Sequence, residues 1–161
     1  MNATMKFLKR ELIVDMSKND EHQATEAENV WNENCKEAWK IFLECSKDLP
    51  KNLVKILRDG FFHDAIIECI ELHEERKKTQ VQFDLIITIL YRDIQGLLIH
   101  KDVSDYCAAL KNLSNFYGCG GDYLYGELFK DSDGLWVHNF LCFDYDEINI
   151  RCKKIDWKRI N

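Results

Sequence analysis

Gly60-Phe61-Phe62-His63-Asp64-Ala65 is the stretch on which the hydrophobic pattern turns over. Before it, apolar residues recur at the three- and four-residue spacing of helices; after it they alternate, as in strands with one buried face. Gly60 suits the left-handed conformation that closes a helix, and two consecutive phenylalanines are poorly hydrated, so the chain is expected to enter the core here.

Working back from that turn, Leu53, Ile56 and Leu57 give the buried face of a short helix opened by Pro50, which is tolerated in a first turn and not in a helix interior. Upstream, Trp31, Cys35, Ala38, Phe42, Cys45 and Leu49 fall on one face of a longer helix. Its approach is acidic (Asp15, Asp20, Glu21, Glu26, Glu28, Glu33 against Lys18), which suits the positive end of a helix, and Ser17 and Asp20 are both available as N-caps. The alternating Met5, Phe7, Leu12 and Val14 suit either an edge strand or a lead into the helix.

Downstream, Ala65 to Glu74 is rich in isoleucine, and a charged run to Lys78 connects it to a second strand. In that strand Val81, Phe83, Leu85, Ile87, Ile89 and Tyr91 occupy every other position, the period of a half-buried strand. A third strand is expected from Leu97 to near Val103, then a short helix capped by Ser104 or Asp105 and carrying Tyr106, Ala109, Leu110 and Leu113. Tyr123 to Phe129, Leu135 to Phe143 and Glu147 to Cys152, continuing toward Trp157, complete the strands, with acid- and glycine-containing turns at Asp131 to Gly134 and Asp144 to Asp146. The expected class is α+β: one domain, N-terminal helices over about residues 17 to 60 packed on an antiparallel sheet of roughly six strands over 61 to 161.

The 161 residues, 46% hydrophobic and 12% aromatic, suffice for a real core and are too apolar for disorder. No apolar run approaches the length of a membrane helix, and charges interrupt Met5 to Arg10 where a signal peptide would be apolar, so a cytoplasmic protein is expected. Seven cysteines, an odd number without a C-x-x-C pair, read as reduced thiols. A net charge of -6 disfavours nucleic acid as a direct ligand and favours a basic partner.

Few residues suggest catalysis. His63 beside Asp64 has the composition of an acid-base pair, but neighbours on an extended chain point apart, so a structural turn with Asp64 on backbone amides is the preferred reading. Cys119 within Gly118-Cys119-Gly120-Gly121 offers a thiol among free amides, and the plain reading is a loop. His73, His100 and His138 fall singly on strands, without the spacing of metal ligands. No enzyme activity, cofactor or metal is expected. Asp131, Asp133, Asp144, Asp146 and Glu147, with no lysine or arginine between 131 and 147, lie near Tyr125 and Trp136, a combination that suits a protein interface. The acids from Glu21 to Glu33 are the competing surface.

Leu49-Pro50, then Phe62-His63-Asp64-Ala65, then Tyr123-Leu124-Tyr125-Gly126-Glu127-Leu128, then Gly134 and His138, together resemble a family of small bacterial proteins of unknown function. Its pattern is a leucine or aromatic before His-Asp and a later Leu-Tyr-x-Glu step, and some members resemble immunity proteins of toxin systems of the contact-dependent growth inhibition type. Gly126 departs from the acidic residue expected within that step. The resemblance implies helices packed on an antiparallel sheet and, as in some relatives, a toxin-neutralising immunity role; the expectation built on it is a protein that covers the active site of a cognate toxin domain as a monomer in a 1:1 complex. It supplies no catalytic residues; the acidic charge adds that the toxin is basic, as a nuclease is. The competing expectations are a small thiol-dependent enzyme or regulator using Cys119, and a structural subunit of a homo-oligomer.

Overall fold

The structure is a computed structural model, and it describes residues 6–60, 62–77, 80–109, 121–142 and 147–160. Three helices come first: α1 (Arg10–Met16), α2 (Glu21–Cys45) and α3 (Lys51–Arg58). Asp20 caps α2, its carboxylate accepting from the amides of His22 and Gln23 at 3.1 Å each. A 3-10 turn at Ser46–Asp48 ends it, and Pro50 stands at the N-cap of α3. The residues around Leu12 are thus helical rather than an edge strand.

Six strands follow: β1 (Ala65–Lys77), β2 (Gln80–Tyr91), β3 (Ile94–Ala109), β4 (Gly121–Lys130), β5 (Trp136–Cys142) and β6 (Glu147–Arg159). Every pairing is antiparallel, in the order β1-β2-β3-β6-β5-β4, and β4 returns to β1 to close a barrel. Closure rests on a short seam, Ala65 to Ile67 against Tyr123 to Gly121. The α+β class is as expected; closure of the sheet on itself is the addition.

The helix expected after Val103 is a correction. Residues 104 to 109 continue β3, with Tyr106, Cys107 and Ala108 opposite Ile150, Asn149 and Ile148 of β6; residues 110 to 113 lie outside those described. A bulge between Val103 and Asp105 breaks the two-residue period, which is why the apolar spacing looked helical. The Ser104 hydroxyl donates to the Arg151 carbonyl at 3.2 Å instead of capping a helix.

Between the helices and the barrel the chain makes its turn. Gly60 has φ +120°, and Phe62 and Asp64 take left-handed φ of 62° and 63°. The left-handed turn drives Phe62 inward, where it is fully buried with its ring 5.8 Å from Tyr91, 6.0 Å from Tyr123 and 5.3 Å from Trp157. Those partners stand on β2, β4 and β6, so one side chain joins three strands that are not sheet neighbours. α3 is fastened over the same end: Asn52 Nδ2 donates to the Trp157 carbonyl at 2.8 Å, and the Tyr91 hydroxyl donates to the Asp59 carbonyl at 2.5 Å.

The barrel interior holds Ile87, Ile89, Leu98, Phe140, Ile148, Ile150 and Cys152, all buried. A smaller cluster on the outer face of β4 and β5 joins Leu8, Trp31 and Leu141, which seats the N-terminal segment and α2 on the barrel. At its far end the β1–β2 hairpin runs beyond the barrel, leaving Leu72, Val81 and Phe83 exposed.

Replacing Phe62 with alanine removes the ring on which three strands converge and is expected to cost about 3 to 5 kcal/mol of unfolding free energy. Phe83→Ala, on the exposed hairpin, is expected to cost less than about 1 kcal/mol. Urea denaturation of both variants checks this; a Phe62→Ala loss no larger than that of Phe83→Ala would contradict the role given to Phe62.

Candidate functional site

The acidic hairpin does not present its carboxylates as expected. Asp131 Oδ1 accepts from the amides of Asp133 at 2.9 Å and Leu135 at 3.0 Å, shaping the turn in which Gly134 has φ +75°. Arg151 of β6 lies opposite this turn; its Nε is 2.5 Å from Asp131 Oδ2, and its Nη2 contacts Asp133. Partial burial pushes the Asp131 carboxyl up, but the Arg151 guanidinium and the Leu135 and Asp133 amides outweigh it and hold the group below the usual carboxylate value. The segment lacks a cation of its own because the neighbouring strand supplies one.

Trp136 is only 3% exposed and belongs to the main core, with Lys130 Nζ 5.1 Å from its ring centre, so it is a core residue and not a surface anchor. Tyr125 is half-buried on β4 against α2, between Trp31 at 4.7 Å and His63 at 4.8 Å, both edge to face. Glu147 is half-buried at the start of β6. Asp144 and Asp146 lie outside the described residues, as does Cys119. The structure therefore brings Asp131 and Asp133 together around Arg151, buries the adjoining Trp136 in the core and leaves Tyr125 apart, against α2.

The competing acids are differently placed. Of the expected Glu21 to Glu33 set, Glu26 and Glu33 share one exposed face of α2, which the structure extends beyond that set to the exposed Glu37 and Glu44, at spacings of seven, four and seven residues and with exposed Val30 beside them. Glu33 pairs with Lys36 at 2.6 Å, and Glu37 lies 3.9 Å from Lys40. Glu26 and Glu44 make no ion pair among the described residues.

At the turn, His63 Nδ1 lies 2.9 Å from Asp64 Oδ2. The preferred reading put Asp64 on backbone amides and held the direct pair awkward; the left-handed φ of Asp64 removes that objection, because the backbone there is not extended. Both side chains are solvent-exposed. Behind them is a cavity of about 200 Å³ between α2, α3 and β4.

Two buried polar groups escaped the sequence reading. Glu127, the acid of the Leu-Tyr-x-Glu step, is 2% exposed. Its carboxylate accepts from the amides of Lys6 and of Phe7, the latter at 2.9 Å, and from Asn139 Nδ2 at 2.8 Å, while Asn149 Nδ2 donates to Asn139 Oδ1. A fully partnered carboxylate thereby pins the N-terminal segment to β4, β5 and β6. Gly126 beside it has its own reason: a Cβ there would stand 1.6 Å from the Tyr123 hydroxyl, so no side chain fits at that step.

The second group lies inside the barrel. His100 Nε2 and His138 Nδ1 are 2.9 Å apart, and His138 Nε2 is 3.1 Å from the Tyr123 hydroxyl. The two histidines, expected to stand singly, meet across the interior from β3 and β5. His100 Nδ1 is buried without a partner of hydrogen-bonding geometry, and the Leu85 backbone opposite it only partly offsets its loss of water. Burial lowers the His100 pKa to about 3; burial first, and then the neighbouring His100 charge, holds His138 well below its ordinary 6.5. Both rings are therefore neutral in the folded protein. Burial likewise pushes the Cys152 thiol up to about 12, as befits a cysteine used as a small hydrophobe. The five described cysteines of which this can be said are all free, and among the described residues no group of three or more histidine, cysteine or acidic side chains is placed to hold a metal.

No protein-family model matches the chain, and no curated protein sequence matches it.

The buried histidines set a pH dependence. Unfolded, each takes a proton near pH 6.5; folded, neither does until far lower, His100 near 3. The unfolded state thus binds more protons below 6.5, so the stability these residues allow is full above that pH and falls as pH drops toward the folded values. Between about pH 7 and pH 5 the loss from His100 alone is expected to be about 2 kcal/mol, with His138 adding to it in the same direction. Urea titrations across that range check it; a stability unchanged over the range would contradict burial of two neutral rings.

Proposed function

We propose that the chain is an immunity protein: it binds a basic toxin domain, a nuclease, in the cytoplasm and covers its active site without catalysing a reaction, one toxin domain to one chain. The observation that carries this reading is the acidic face of α2. A helix of 25 residues spans about 37 Å, long enough to lie across the phosphate-binding groove of a small nuclease. Its carboxylates at 26, 33, 37 and 44 are exposed along one face, as contact with the lysines and arginines of such a groove requires, and exposed Val30 lies beside them. The net charge of -6 adds attraction at longer range.

The same geometry orders the two acidic surfaces. The Asp131 and Asp133 charges share Arg151, and Asp131 also shapes its turn; on α2, Lys36 and Lys40 answer Glu33 and Glu37 and leave Glu26 and Glu44 uncompensated among the described residues, so the hairpin has less charge to offer. The resemblance of Phe62-His63-Asp64 and Leu124-Tyr125-Gly126-Glu127 to the immunity-like bacterial family supports the class, and the structure explains its residues as architecture: Phe62 plugs the barrel and Glu127 anchors the N-terminal segment. Among the described residues no helix is long and apolar enough to cross a membrane.

The test is association with the toxin domain encoded beside this chain, followed by stopped-flow. Reversing Glu26, Glu33, Glu37 and Glu44 to lysine is expected to slow association by about tenfold or more at low salt, with the difference shrinking as salt rises. Asp133→Lys, at an exposed position, is expected to change the rate less than about threefold. A helix-reversed variant that associates at the wild-type rate would remove this face as the binding site; failure of the wild-type chain to bind any toxin domain so encoded would remove the function.

A further inference from the structure

We propose that the cavity between α2, α3 and β4 is a binding site for a small aryl or short-chain acyl carboxylate. Its volume of about 200 Å³ exceeds the roughly 150 Å³ of an apolar protein cavity known to hold benzene, so one ring with a short acidic arm fits. The floor is apolar, made by the buried Leu8, Leu57 and Leu128. The wall adds the rings of Tyr125 and of Trp39, the latter 38% exposed where the other three tryptophans are buried.

The polar groups fix the ligand's polarity and direction. Arg58 and His63 stand at the solvent-exposed mouth. Arg58 makes no ion pair among the described residues; the adjacent Asp59 is engaged by Arg92 at 2.9 Å. Asp64 holds His63 Nδ1, which leaves Nε2 as the ring's other polar atom. A guanidinium over an apolar slot favours an amphipathic anion, bidentate at its carboxylate and apolar beyond it. Two further polar groups line the cavity. Glu127 would repel an anion placed deep, but its oxygens are engaged by the Lys6 and Phe7 amides and by Asn139, so the carboxylate belongs at the mouth and the apolar end at the floor. Burial pushes the Cys35 thiol up, keeping it neutral.

Cys35, Ala38 and Trp39 face the cavity and lie off the stripe from Glu26 to Glu44, so this site is separate from the proposed toxin-binding face and stands or falls without it. The test uses the whole chain alone, with Trp39 fluorescence and thermal shift as readouts and phenylacetate, benzyl alcohol and benzylamine as probes. Phenylacetate is expected to bind saturably with a dissociation constant on the order of 1 mM or below. The neutral and cationic probes are expected to bind about tenfold more weakly or worse, and Arg58→Gln, at an exposed position, is expected to cost phenylacetate a similar factor. Ala38→Phe, which fills the cavity, is expected to abolish binding. Equal binding of all three probes, wild-type affinity in Arg58→Gln, or no saturable phenylacetate signal would each overturn the proposal; the last is also the outcome if the cavity instead receives a side chain of a protein partner.

Discussion

The burial of one aromatic ring at the junction of the two halves is the constraint on which the rest of this structure depends. Phe62 enters the end of the barrel because the backbone there turns left-handed, and its ring meets Tyr91, Tyr123 and Trp157 from three strands. A six-stranded ring closed by a seam of only three residue pairs has little hydrogen bonding to hold it shut. Apolar convergence inside that seam, beside the fully buried Ala65 and Tyr123, supplies much of what the ladder does not. The same turn determines where α3 lies and so shapes both the cavity behind His63 and the line of α2.

Polar groups then lock the parts in register. Glu127 fastens the segment before α1 to the outside of β4, Arg151 fastens the β4–β5 turn to β6, and Tyr91 and Asn52 fasten α3 to the open end. Each is a long-range contact made by a residue that looks like an ordinary surface group in the sequence. The His100–His138–Tyr123 chain is different in kind, because it sits in the barrel interior with one ring nitrogen unpartnered. A buried group left unsatisfied is costly, which makes this cluster the point at which acid acts on the fold.

How legible all this was varied with range. β2 was plain because its alternation runs from Val81 to Tyr91 without a break, and α2 because its apolar stripe keeps to one face. The end of β3 was misread because the bulge at Val103 shifts the phase and because its strand partner, β6, lies some forty residues further on. Closure of the barrel was invisible for a related reason: β1 and β4 meet through a few residues separated by more than fifty in the chain. At the candidate sites the acids themselves were readable, but their neutralisation was not, since Arg151 falls just past the segment whose lack of cations suggested an interface. Trp136 looked like an anchor because aromatics suit interfaces and cores alike; only its strand's burial on both faces decides between them.

What distinguishes this account from its rivals is stoichiometry. An inhibitor that occludes an active site acts one to one, whereas a chain that modifies or degrades a toxin acts below equivalence. On the proposed reading, the most direct measurement is a titration of the nuclease activity of a toxin domain encoded beside the chain with the purified chain, at concentrations well above the dissociation constant. The account predicts a linear fall that reaches zero at one equivalent and is reversed when the complex is dissociated by high salt. Activity that is unaffected by an excess of the chain, or abolished by a small fraction of an equivalent, would contradict it.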